Sequence, residues 1–321
     1  DRLGPRPVLL AAGLAYPVAL AARVSALTSG APLPVVLGLA VAAGATLPQV
    51  TTCMRTLYRR RLQDDSLLIA ALSLDSVLIE LVFILGPMLV AFLVAAASPA
   101  TAVLFGALCG SVGALYVTRT PALVQWPIDP PRPRDLLGVL RDAGFRRLLV
   151  VLLGYASVFG LVEIGVATYA FERGQPALAG VILGVMSIGS ALGGLAYGSR
   201  PWHLPLARQF ALALIFMGIA VLPLAMISNP VVFCLIGALS GITMAPPLII
   251  QSTMVARNMP TSQMAEAFTW VTTAMLSGVG LGFAGGGIVS EYWGAATVFT
   301  LAAAISILMG SATLGILRTP E

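Results

Sequence analysis

The chain has 321 residues, of which 58% are hydrophobic and 10% are charged. Soluble globular domains contain about 45–50% apolar and about 25% charged residues. The composition therefore excludes an ordinary soluble domain and predicts a protein that crosses a membrane many times. The net charge is +5, and its distribution, described below, fits membrane topology and predicts no nucleic-acid partner.

Ten apolar stretches follow one another along the chain, each long enough to cross a bilayer, which takes about 20 residues in a helix. Short polar or proline-rich breaks separate them. These continuous Leu, Ala, Val and Gly runs predict an all-α integral membrane protein. The expected bounds are Arg6–Leu27, Leu33–Leu57, Leu67–Ala96, Ala100–Thr118, Arg147–Phe171, Ala177–Gly198, Leu206–Ile227, Val231–Ala256, Met264–Ser290 and Ala295–Leu317.

Arginine placement predicts the orientation of these helices, because every one of the 18 basic residues is an arginine. If the opening turn is cytoplasmic, sixteen arginines fall on the cytoplasmic side. Only Arg23 and Arg173 fall on the other side. The positive-inside rule then predicts the orientation, with the opening turn in the cytoplasm. The expected location is the inner (cytoplasmic) membrane of a bacterium, as a multi-pass protein with the lipid bilayer as its immediate partner.

The three cysteines, Cys53, Cys109 and Cys234, are isolated within apolar helices. Their spacing offers neither a disulfide framework nor a metal site. We therefore expect no metal and no cofactor, and we interpret the cysteines as small packing residues.

The longest polar segment runs from Arg119 to Arg147 and is rich in proline. It divides the chain into a first bundle (1–118), a cytoplasmic linker (119–146) and a second bundle (147–321). Within the linker, apolar residues recur at near-helical spacing from Leu136 to Leu148. This pattern predicts an amphipathic helix on the cytoplasmic face.

The sequences of the two bundles resemble each other when they are aligned with a nearly constant offset. Pro48 and Pro247 interrupt matching helices 199 residues apart, and the turn that ends at Pro201 matches the opening turn. Such repeats are a recurrent construction of secondary transporters. The second copy has two helices before its turn, so the repeat predicts two further helices before Asp1 and a chain that holds ten of twelve.

Two short motifs carry a resemblance to the major facilitator superfamily. The opening sequence is similar to the end of that family's signature loop between its second and third helices, and a second copy keeps two of the positions, with Gly198 where the acid would be. A Gly-Pro pair in Leu67–Ala96 resembles the motif of proton-coupled exporters. The residues that match are Asp1, Arg2, Gly4 and Arg6, then Gly194 and Arg200, then Gly86 and Pro87.

The resemblance, which covers the whole chain, implies two six-helix bundles that rock around a central cavity and move a small molecule by alternating access. It implies a monomeric transporter of the drug/proton antiporter-like branch, with protons as a further partner, and no enzyme. It also implies that Asp1 lies against the start of the helix that carries Glu266, locking the cytoplasmic side. The family's arginine early in its fourth helix is absent here, because Leu33–Met54 carries no charge.

Carboxylates within apolar helices are costly and usually serve transport paths or ion pairs. Glu80 shares a helix face with Pro87 and is a candidate proton acceptor or a fixed structural partner. Arg55 can reach Asp75, as a structural ion pair or as a gate. Glu163 either lines the central cavity or lies outside it.

Other residues have predicted local roles. Glu266 follows Thr261 and Ser262, and an acid at this position stabilises a helix N-terminus. Pro48, Pro247 and the Gly86-Pro87 pair are predicted hinges, because proline interrupts a helix.

The predicted function is secondary transport of a small solute, with proton-coupled efflux favoured. The alternatives are an uptake permease of the same fold, an integral-membrane enzyme and a receptor-like protein that does not transport. One lone histidine, His203, speaks against the enzyme.

Overall fold

The computed structural model of the chain describes residues 4–62, 96–124, 138–200, 202–259 and 263–316, together with 64, 67, 71, 74, 75, 78, 81, 82, 85, 86, 89, 90 and 92–94. Regular structure in these residues is helical, without a strand. We number the helices α1 (Pro5–Thr28), α2 (Leu33–Ala45), α3 (Val50–Arg61), α4 (Pro99–Thr118), α5 (Pro121–Val124), α6 (Ala143–Glu172), α7 (Ala177–Gly198), α8 (Leu206–Val221), α9 (Pro230–Gly241), α10 (Ala245–Asn258) and α11 (Met264–Ile316).

Eight helical runs in the described part of the chain are long and apolar enough to cross a membrane. They are α1, α2 with α3, α4, α6, α7, α8 with the turn that follows it, α9 with α10, and α11. This architecture confirms the all-α prediction. The helix expected at Leu67–Ala96 lies largely outside the described residues.

Contacts divide the chain into two compact units. Unit 1 comprises Asp1–Asp75 and Leu89–Arg134, and unit 2 comprises Ser76–Met88 and Asp135–Glu321. In unit 1, α1 packs against α2 and α4, where Leu20, Ala43 and Ala107 are buried together. A second cluster joins α1, α3 and α5 through Leu9, Leu57 and Leu123.

Unit 2 is built around α6, whose residues dominate a large apolar core. The first part of α11 runs parallel to α6, since Gly282 faces Ser157 and Gly286 faces Ile164. The second part runs back along the same helix.

Contacts between α6 and the second part of α11 show this reversal. A Cβ built on Gly165 would lie 2.9 Å from the ring of Phe299, and Met309 meets Gly154 further toward the start of α6. Residue numbers thus rise on one helix as they fall on the other. Because α11 is parallel before Gly294 and antiparallel after it, it consists of two helices joined at a tight bend, as the sequence predicts.

Gly294 forms the bend between these two helices. Its backbone (φ 73°, ψ 179°) is a conformation that residues with a side chain rarely adopt. The second helix begins at once, and the Ala295 amide donates to Glu172 Oε1 over 3.0 Å. Glu172 at the end of α6 therefore satisfies an amide that the new helix leaves without a partner.

The described part of the linker corrects the predicted amphipathic helix, which is not continuous. Gly138–Arg141 is a 3-10 turn, and Asp142 has extended backbone angles. The Asp142 carboxylate accepts from the Phe145 amide over 2.7 Å, so α6 begins at Ala143, four residues earlier than expected. The last predicted residues of the amphipathic helix are the first turns of α6.

Replacing Gly282 with alanine should destabilise unit 2, because a Cβ there would lie 3.0 Å from Gly160 Cα and closer still to the Ser157 carbonyl. Overpacking of this kind costs about 1–3 kcal/mol. We expect a lower midpoint of thermal unfolding in detergent. Gly280→Ala is the matched control, because nothing lies within 4 Å of its Cβ position. Equal midpoints for the two variants would contradict the packing of α6 against α11.

Candidate functional site

Unit 1 contains a broken membrane helix centred on Pro48. Helix α2 ends at Ala45 and α3 begins at Val50. In a continuous helix the Gly44 carbonyl would accept from residue 48, but proline has no N–H. Here the Leu47 amide donates to Gly44 O over 3.3 Å, and the helix stops. The predicted interruption at Pro48 is therefore present.

Unit 2 contains a second break at the corresponding place. Helix α9 ends at Gly241 and α10 begins at Ala245. The carbonyls of Ile242 and Thr243 would need amides at 246 and 247, and both of those residues are prolines. The break lies beside the buried Tyr155 of α6, whose hydroxyl lies 3.4 Å from Met244 O.

Each break is a candidate site element within its own unit. Backbone outside a helix is tolerated within the hydrocarbon region where protein buries it or where it lines a cavity. Interrupted helices at matching positions of two repeats are the sequence feature that best marks a transporter's binding site. Tyr155 was missed by the sequence interpretation, because an aromatic residue in an apolar run gives no signal of its neighbours.

An apolar cleft of about 380 Å³ lies in unit 1 beside the first break. Alanines from α1 line one side, and Ala45 and Thr46 at the end of α2 line the other. The Thr46 hydroxyl donates to Ala42 O over 2.8 Å, which satisfies the hydroxyl within its own helix. The cleft is thus nearly without polar groups.

Arg55 and Asp75 form the ion pair that the sequence predicts. Arg55 Nε lies 2.7 Å from Asp75 Oδ2, and the side chains are 31% and 13% exposed. A charge-assisted contact this short, largely removed from solvent, holds α3 to the residues around Asp75. Whether the pair also opens as a gate remains a prediction.

Glu163 stands on the side of α6 that faces away from the core. It is exposed, whereas Leu161, Val162 and Val166 around it are 0–3% exposed. No residue of the described chain forms a hydrogen bond or ion pair with its carboxylate. An acid in a membrane-spanning helix without a fixed partner remains able to accept a proton or meet a solute.

The opening motif is described only in part, since Asp1 and Arg2 lie outside the described residues. Gly4 has φ 70°, which explains the glycine of the motif, because other residues strain at that angle. Arg6 is exposed in the first turn of α1.

The second copy of the motif is held by side chains that the sequence interpretation did not select. The Tyr197 hydroxyl donates to Gln209 Oε1, and Trp202 Nε1 donates to Tyr197 O over 2.9 Å. The rings of Tyr197 and Trp202 stack with centroids 5.2 Å apart. These contacts hold the turn between α7 and α8, although Gly198 stands where the motif has an acid.

The other residues of this loop have simpler places. Gly194 packs against α10, where a Cβ on it would lie 3.2 Å from Ala245 Cβ. Arg200 is exposed just after α7.

The remaining predicted residues have mixed outcomes. Glu80 and Pro87 lie outside the described residues, while Gly86 is helical with nothing within 4 Å of a Cβ position. Glu266 lies in the first turn of α11. Its Oε1 accepts from the Val139 amide of the linker over 3.3 Å.

In the described ranges, no three His, Cys, Asp or Glu side chains are close enough to hold an ion.

Comparison with known proteins gives a match by structure. No protein-family model matches the chain, and no curated protein matches it in sequence. The crystal structure of a point mutant of the nucleoside transporter NupG matches with a TM-score of 0.62 and 13% identity, covering 98% of this chain and 84% of that one. At this identity the match shows the fold alone: the chain folds like this transporter structure, as the resemblance in the sequence implies.

Breaking the Arg55–Asp75 pair should destabilise the protein more than removing both charges. Arg55→Leu and Asp75→Asn each leave one charge without its partner in a poorly solvated place, at a cost of about 1–3 kcal/mol. The double variant should recover part of that loss. A double-mutant cycle measured by unfolding in detergent should give a coupling of about 1–2 kcal/mol. Additive effects would contradict a pair that contributes to stability.

Proposed function

We propose that the protein is a secondary transporter that moves a small solute across the cytoplasmic membrane by alternating access. The observation that carries this proposal is the match of 98% of the chain to the fold of a solute transporter. The interrupted helix in each unit supports it, because transporters bind solutes where such helices break. The arginine distribution supports an orientation with the opening turn in the cytoplasm.

We further propose that protons drive transport through Glu163 or Glu80. A carboxylate in a membrane-spanning segment accepts a proton when its surroundings disfavour the charge, and it releases the proton when water reaches it. Glu163 supports the proposal, since no described residue forms an ion pair with its carboxylate. Glu80 is included because it lies within the apolar stretch Leu67–Ala96 of the sequence.

Efflux is the favoured direction because of the Gly86-Pro87 motif, and uptake is the second candidate. The name of the matching structure, a nucleoside transporter, favours nucleosides as the first solutes to test. Ligand-dependent thermal stabilisation of the purified full-length protein against a panel that includes nucleosides and cationic drugs would select the solute.

Transport should lose its dependence on pH when the driving carboxylate is made neutral. With the selected solute, proteoliposomes of the full-length protein should show solute movement coupled to a pH gradient. Glu163→Gln should lower gradient-driven transport by at least about tenfold, while exchange of solute without a gradient should continue, since proton release is needed only for net movement.

The matched control is Glu291→Gln, which neutralises an exposed acid near the end of the first helix of α11. It should transport as the unaltered protein does. Unchanged pH dependence in both Glu163→Gln and Glu80→Gln would overturn proton coupling through these residues. Failure of every solute to stabilise or cross would instead favour the receptor-like alternative.

A further inference from the structure

The linker leads into α6 through a short segment held by hydrogen bonds and apolar packing. This linker exit, Gly138–Arg147, joins the 3-10 turn to the first turn of α6. The Arg146 guanidinium donates to Leu140 O over 2.7 Å and to Arg141 O over 3.0 Å. Val139 and Phe145 are each 2% exposed, so the exit is anchored by apolar packing as well as by hydrogen bonds.

Glu266 ties this exit to a different helix, 127 residues later in the chain. Its carboxylate lies over the turn, where Oε1 accepts from the Val139 amide over 3.3 Å. Gly138 allows this approach in two ways. Its φ of 20° suits glycine, and a Cβ would collide with the carboxylate of Glu266.

Helix capping alone does not explain the contact between Glu266 and Val139. An acid in the first turn of a helix interacts favourably with that turn's free amides. Here the hydrogen bond leaves its own helix and satisfies an amide of the linker. The carboxylate therefore joins the start of α6 to the start of α11, and these two helices run parallel along the core of unit 2.

We infer that Glu266 is a positioning residue that fixes the linker exit to the first turn of α11, so that the exit and these two helices move as one body. The role of this body in a transport cycle rests on the proposed function, whereas the contact itself does not. If the linker is pulled or released as the protein changes state, the displacement reaches α11 through Glu266 as well as α6 through the chain. A looser exit would slow the change of state and leave the solute site intact.

Hydrogen exchange by mass spectrometry on the full-length protein in lipid nanodiscs tests the contact. In Glu266→Ala, the amides of residues 138–142 should exchange about tenfold faster, because the Val139 amide loses its acceptor. Glu266→Gln keeps an oxygen acceptor and should restore most of the protection. Gly138→Ala should behave like Glu266→Ala, while amides in the middle of α6 stay unchanged in all three.

Glu291→Ala, an exposed acid on the same helix, is the control and should leave the exit protected. Unchanged exchange at 138–142 in Glu266→Ala would overturn the inference, whatever the protein transports. Faster exchange throughout α6 would also overturn it, because it would show general unfolding. Once a solute is known, Glu266→Ala should lower the transport rate with little change in solute Kd. A weakened Kd would place Glu266 in solute binding and contradict a positioning role.

Discussion

The close approach of α6 and α11 is the interaction on which unit 2 depends. In a bilayer apolar side chains gain little by leaving lipid, so helices associate through tight backbone packing. Gly160 and Gly282 have no side chains at this contact, so each leaves room for the backbone of the other helix. The same device recurs between α8 and the second helix of α11, where a Cβ on Gly218 would lie 2.7 Å from Ala303 O. Small residues thus set which helices are neighbours.

Polar groups complete this arrangement at both ends of α6. At one end Asp142 caps the helix and Glu266 holds the linker exit. At the other end Glu172 caps the helix after Gly294, and the Arg173 guanidinium donates to Ser228 O over 2.9 Å while lying over the Tyr169 ring. Both ends of the central helix are therefore tied to later parts of the chain. A unit fixed in this way suits motion as a rigid body.

Much of the fold is predictable from the sequence because membrane helices are marked by length and hydropathy, and proline marks their interruptions. The breaks at Pro48 and Pro247 and the bend at Gly294 follow from backbone chemistry alone. The linker exit was mispredicted, because helical spacing of leucines gives no weight to Gly138 and Asp142. The Arg55–Asp75 pair was predictable, since Asp75 interrupts an apolar stretch near the end that Arg55 was expected to reach. The Tyr197–Gln209 contact was not, because no pattern marks an uncharged pair.

The breaks and the free carboxylate together constrain how such a protein could work. A broken helix can bend at low cost because the hydrogen bonds lost at proline are already absent, so motion at Pro48 or Pro247 costs little enthalpy. Glu163 lies on α6, which is tightly packed on its other faces and unbroken over thirty residues. The interrupted helices and the helix that carries Glu163 are therefore different elements. In unit 2 a change on α6 can reach the break between α9 and α10 only through a group that contacts both, and Tyr155 of α6, whose hydroxyl lies 3.4 Å from Met244 O, is one such group.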